Sequence, residues 1–125
     1  MASLLIFEDN EGFRLLLCTL LTRLGHRVTV RESHVGVADI GPDCDRFTLI
    51  ITDLEMPYRD GIAIVRQLHL QGARIPTVIM TGSTGARGHE LQQLLDDGLV
   101  TRVIRKPTQV RDLVTEVVAL LDALP

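Results

Sequence analysis

No stretch of this chain approaches the roughly 20 consecutive apolar residues that a membrane span requires, so no spanning helix is expected. The N-terminal MASLLIF runs straight into Glu8 and Asp9 with no basic leader and no cleavage site, which makes the cytoplasm the expected location. Basic residues are too few for a nucleic-acid footprint: the formal net charge is -3 at pH 7, and direct contact with nucleic acid is not expected. Cysteine is equally scarce. Cys18 lies in an apolar helical run and Cys44 in a polar loop, and such a pair builds neither a disulfide framework nor a metal motif. Lysine is scarcer still, for of 13 basic residues only Lys106 is a lysine. In a chain so committed to arginine, that position calls for a compact ammonium where a planar guanidinium would not serve.

What remains is the composition of a folded domain. The 125 residues are 46% hydrophobic and 23% charged, enough to bury one core, and residues 1 to 125 are read as a single domain. Short β-type runs alternate with helical stretches. Strands are expected from Ser3 to Phe7, His26 to Arg31, Phe47 to Thr52, Pro76 to Thr81 and Val100 to Arg105. Between them, helical spacing runs from Glu11 to Leu24 through Phe13, Leu16, Leu17, Leu20, Leu21 and Leu24, with Gly25 just past its end. A short helix capped by Ser33 is expected to reach Ile40, one capped by Asp60 to run from Gly61 to Leu70, one after Thr84 to reach Asp96, and a last one to span Thr108 to Ala123. Five strands alternating with five helices require crossover connections, and these give an α/β fold: a doubly wound parallel sheet with helices on both faces.

In such sheets ligands bind beyond the carboxyl ends of the strands. Four of the five expected strands end in reactive residues: Glu8 and Asp9 after the first, Asp53 after the third, Thr81 at the fourth and Lys106 at the fifth. Carboxylates gathered at one sheet edge repel each other unless a cation joins them, and a hard divalent ion such as Mg²⁺, held by carboxylates, water and a backbone carbonyl, resolves the conflict. Metal, ammonium and hydroxyl would then surround the place where the charge of a phosphoryl group accumulates. Asp53 is the natural nucleophile, because aspartate can form an acyl phosphate. Taken singly these residues have plainer uses: a strand-end aspartate as a turn residue, Glu8 and Asp9 as helix caps, Lys106 as a solvated surface charge. It is their order along one doubly wound chain that points to a site.

IFEDN, IITDLEMPYRDG, VIMTGS and VIRKP resemble the signature segments of receiver domains from two-component response regulators, and the likeness runs through essentially the whole chain. The resemblance implies a flavodoxin-like sheet of order 2-1-3-4-5. It implies Asp53 as phospho-acceptor, Asp9 as a direct Mg²⁺ ligand, Glu8 as an acidic partner acting through water, and Glu55 as the residue whose backbone carbonyl meets the ion. Thr81 corresponds to the hydroxyl that tracks the phosphorylated state and Lys106 to the lysine that pairs with the phosphoryl group. The family also suggests a cis Lys106-Pro107 bond. Partners implied are a sensor histidine kinase or a histidine phosphotransfer protein upstream, and a target or output domain downstream.

The chain departs from the pattern at three places. Val103 stands where many receivers carry a switching aromatic ring, Gly82 where alanine is common, and Thr108 where phenylalanine is frequent. The resemblance also implies that Glu55 and Ser83 flank the path of an attacking water, where a glutamate either orients that water or repels it. No output module follows the last helix, which fits a free-standing receiver or one cut from a longer chain. Leu15 and Cys18 on the first helix and Val118, Leu120 and Leu124 on the last either complete the core or form a contact surface for a kinase, a phosphotransfer domain or a second copy. Two other readings are a pseudo-receiver scaffold that is never phosphorylated, and a small phosphatase of the haloacid-dehalogenase kind. The first leaves the full acidic, threonine and lysine set unexplained, and the second expects a second aspartate where Glu55 stands. A bound flavin has no Gly/Ser/Thr-rich loop after the first strand to receive it. With the ring absent at Val103 and glycines at Gly82, Gly85 and Gly88, activation is expected to reorder the segment from Gly82 to Gly88. Hydrogen exchange in that segment should change on phosphorylation or with beryllofluoride; identical exchange in both states would rule this out.

Overall fold

The computed structural model describes residues 1–31, 46–56, 60–82, 87–106 and 110–124. In chain order these form β1 (Ser3–Phe7), α1 (Glu11–Arg23), β2 (Arg27–Arg31), β3 (Leu49–Asp53), α2 (Gly61–Leu70), β4 (Thr77–Thr81), α3 (Gly88–Asp96), β5 (Arg102–Arg105) and α4 (Val110–Ala123). All neighbouring strands pair parallel, in the order β2-β1-β3-β4-β5. The expected helix from Ser33 to Ile40 lies outside the described residues.

The alternation of side chains along each strand divides the interior in two. Leu4 and Ile6 of β1, Leu49 and Ile51 of β3, Val78 and Met80 of β4 and Ile104 of β5 face α1 and α4, meeting Leu17, Leu21, Leu113, Val114 and Val117. On the other face Leu5, Phe7 and Ile50 meet Ile64 and Leu68 of α2, while Ile79 meets Ile62 and Val65 of α2 and Leu91 and Leu94 of α3. The central strands β3 and β4 are buried along their whole length, as their unbroken apolar runs require. The edge strand β2 is only half-buried, and Val30 on it is exposed.

Element ends follow local chemistry. Asn10 caps α1, its Oδ1 accepting from the Phe13 N–H at 2.9 Å, and Asp60 caps α2 by accepting from Ala63 N–H at 2.8 Å. The α1 stripe is narrower than its spacing suggested. Leu16 points roughly 100° away from the buried Leu17 and is 49% exposed, and Leu24, 54% exposed, follows the helix end where Gly25 turns the chain away at φ +92°. The last strand starts later than expected. The N–H groups of Leu99 and Val100 are spent on the Leu94 carbonyl, closing α3, and pairing with β4 begins at Thr101, which donates to the Thr77 carbonyl at 2.8 Å. Of the residues offered for a contact surface, Cys18, Val118 and Leu120 pack against the α1/α4 core, whereas Leu15 is 57% exposed.

Gly61 opens α2 directly against the end of β3. A Cβ built there would lie 2.5 Å from the Asp53 carbonyl oxygen and 3.2 Å from Leu54 Cα, both backbone atoms that cannot step aside. Gly61→Ala should therefore destabilise the fold by about 1–3 kcal/mol. Urea denaturation checks this, with a lowered midpoint at unchanged slope expected and an unaltered midpoint contradicting the packing.

Candidate functional site

The register of the sheet sets the site before any side chain is considered. Phe7 is level with Thr52, so Glu8 emerges beside Asp53, and Thr81 is level with Arg105, so Lys106 emerges just beyond it. Backbone bonds carry the ladder past the strand ends: Leu54 N–H donates to the Met80 carbonyl at 2.8 Å and Lys106 N–H to the Thr81 carbonyl at 2.7 Å. Residues 53 positions apart in sequence are thus held by backbone geometry alone.

The side chains then converge on one ammonium. Lys106 Nζ donates to Asp53 Oδ2 at 2.9 Å and lies 3.3 Å from Glu8 Oε2, at ion-pair distance but without hydrogen-bond alignment. Its third neighbour is the Phe13 ring, whose centroid is 4.5 Å away. Glu8 is 1% exposed and Asp53 5%, so both carboxylates sit in a poorly solvated place. Glu8 is fixed at its other oxygen, Oε1, which accepts from the Asn10 N–H at 3.0 Å, and its carbonyl accepts from Arg14 at 3.1 Å.

Burial governs the titration of the two carboxylates, and their sharing of one cation adds to it. Burial pushes the Glu8 carboxyl up, and repulsion from Asp53 adds to it; the Asn10 amide and Lys106 pull only partly back. Burial likewise pushes Asp53 up against the opposing pull of Lys106, with Glu55 adding repulsion. Burial alone would lower the Lys106 ammonium, but its bond to Asp53 and the charges of Asp53 and Glu8 carry it above its ordinary value.

Thr81 is buried at the adjoining strand end, and its hydroxyl donates to Glu55 Oε1 at 2.8 Å. The Glu55 side chain therefore takes part in the site through Thr81, a contact that the sequence did not suggest. Asp9 follows Glu8 at the same strand end, half-buried. Among the described residues no three carboxylate, imidazole or thiol side chains converge as a ready-made metal centre. Yet Glu8 Oε2 and Asp53 Oδ1 are both buried with no hydrogen-bond partner, and oxygens left so are costly unless a cation serves them. That pair of hard oxygen donors, neither with a hydrogen bond, fits Mg²⁺ better than any softer ion. Ser83, Thr108 and the Lys106-Pro107 bond fall outside the described residues.

Two participants escaped the sequence reading. Phe13 counted there as one more apolar residue of α1, and only tertiary contact sets its ring against Lys106. Arg87, one arginine among many, joins two site-flanking segments: it donates to Asp60 Oδ2 at 2.6 Å and makes a forked pair with Glu90 at 3.0 and 2.9 Å. Burial tends to raise the Asp60 carboxyl, but its capping bond from Ala63 and the Arg87 guanidinium together lower it. A separate cavity of about 340 Å³, lined among others by Ile50, His69, Arg74 and Thr101, opens at the amino-terminal ends of the strands, away from these groups.

A carboxyl whose pKa is raised on folding binds its proton more tightly in the folded state than in the unfolded one. Its contribution therefore declines as pH rises from the ordinary values, 3.8 for Asp and 4.5 for Glu, through the raised ones. In metal-free buffer the stability of the wild type should fall relative to Asp53→Asn as pH is raised from that range towards neutrality. Denaturation midpoints of the two proteins with chelator present test it; a constant gap across pH would refute the assignment.

A family model described as the response regulator receiver domain matches residues 4–118. The response regulator receiver protein CpdR of Brucella abortus is 28% identical over 123 residues, covering 98% of this chain and 99% of CpdR. The transcriptional regulatory protein FixJ of Azorhizobium caulinodans is 32% identical over 77 residues, which are 62% of this chain and only 36% of FixJ. Among solved structures, a response regulator receiver domain from Clostridium thermocellum superposes with a TM-score of 0.80 at 22% identity, over 98% of this chain and 95% of that one.

Proposed function

This chain belongs to the response regulator receiver domain family, and from that premise we propose that it is one receiver domain, residues 1 to 125, that accepts a phosphoryl group onto Asp53. The observation that carries the reading is the meeting of Asp53 and Glu8 on Lys106 Nζ, with Asp53 Oδ1 buried and without a hydrogen-bond partner. The donor is a phosphohistidine on a sensor kinase or phosphotransfer protein. A carboxylate oxygen of Asp53 attacks phosphorus, the P–N bond breaks, and the imidazole leaves with the electron pair.

Each residue's part follows from where it stands. Lys106 holds the Asp53 carboxylate in one orientation and then offers its charge to the phosphoryl oxygens. Glu8, Asp9, Asp53 and the backbone carbonyl of Glu55 would hold Mg²⁺. When bound, the ion neutralises charge on the transferring group. Thr81 completes the set: to reach the phosphoryl oxygens its hydroxyl must leave Glu55, so phosphorylation is read out as the exchange of one hydrogen bond. Glu55 is exposed, which keeps that bond near the low end of the roughly 0.5–3 kcal/mol range for such contacts and makes the exchange readily reversible. The activity is self-modification and its slow reversal, in the cytoplasm, with a target or output domain or a second copy reading the result.

Incubation with acetyl phosphate and Mg²⁺ tests the reading. One slowly lost phosphoryl group per chain is expected, absent in Asp53→Asn, intact in Arg74→Ala, and formed about 10²-fold more slowly in Lys106→Met. No label at all would instead indicate a pseudo-receiver scaffold, and multiple turnover on phosphoesters a phosphatase.

A further inference from the structure

The Lys106 ammonium ends a flexible stem and could swing outward, for its side chain is 23% exposed. Two carboxylates draw it inward but leave its remaining side open, and the Phe13 ring covers that side at 4.5 Å. The ring is itself anchored. Its backbone N–H is tied to Asn10 Oδ1, the Asn10 N–H to Glu8 Oε1, and the ring packs on the α1/α4 core. Glu8, Asn10, Phe13 and Lys106 thus form a closed circuit of contacts that returns to Glu8 through its Oε2. Phe13 lies outside all four signature segments, so nothing in the family resemblance assigns it a part.

We propose that Phe13 is a positioning residue: the face of its ring holds the Lys106 ammonium between Glu8 and Asp53 and so sets the rate at which Asp53 accepts phosphate. The attraction is electrostatic, between the cation and the negative face of the ring, and it weakens as electron density is withdrawn from that ring. This inference rests on the phospho-acceptor reading and deepens it.

Fluorinated phenylalanines in place of Phe13, from mono- to trifluoro, alter ring charge with little change in shape. Labelling by acetyl phosphate and Mg²⁺ should slow stepwise along the series, by about 3- to 10-fold at the end. Phe13→Leu should be at least as slow and Phe13→Tyr close to wild type. A labelling rate indifferent to fluorination would overturn the proposal even if Phe13→Leu is slow, because packing alone explains that pattern. The Lys106 ε-methylene protons supply a readout independent of phosphorylation. The ring should shift them upfield in the wild type and release them in Phe13→Leu, and unshifted protons overturn the placement. A wild type that takes no label sinks the phospho-acceptor reading and the rate effect with it, while the proton shift still decides whether the ring holds the ammonium.

Discussion

One ammonium group facing two buried carboxylates is the constraint around which the rest of this molecule is arranged. Glu8 and Asp53 are each almost wholly removed from water, and among the described residues Lys106 is the cation that stands between them. A single positive charge cannot satisfy two negative ones: Glu8 Oε2 reaches the ammonium only as an ion pair at 3.3 Å, and neither it nor Asp53 Oδ1 has a hydrogen-bond partner. The arrangement costs folding energy and persists because the sheet around it is over-determined: β3 and β4 are buried on both faces, and the ladder continues through Leu54 and Lys106.

That unmet charge is also what gives the site its use. Under the proposed phospho-acceptor reading, a further cation and the ammonium already aimed at a carboxylate would receive a phosphoryl group between them. Hydrogen bonds tie the neighbouring elements to the site. Thr81 is linked to Glu55 by its hydroxyl, and Arg87 links the start of α3 to the cap of α2.

Much of this was legible in the residues. Apolar runs ending in Glu8, Asp53 and Thr81, and the mixed run before Lys106, gave the strands their type and their polarity, and the cap Asp60 stands where a helical pattern begins, whereas α1 is capped by Asn10 rather than by the Glu8 or Asp9 that the residues offered. Boundaries were less legible, because Leu99 and Val100 look like strand residues yet serve to close α3. Leu16 looked like core on α1 and is exposed, since spacing alone does not say how wide a stripe the opposing sheet will cover.

The sequence by itself determined the alternation of strand and helix and the chemical identity of the strand ends, because both are properties of short, local stretches. The tertiary structure alone decided which groups touch. The Phe13 ring over Lys106, the Glu55 carboxylate on Thr81 and the Arg87 clasp on Asp60 each join elements that are remote or differently turned in the chain. Such pairings depend on strand register and helix rotation to within a few ångströms, and those are fixed by packing the whole sheet rather than by any segment of it.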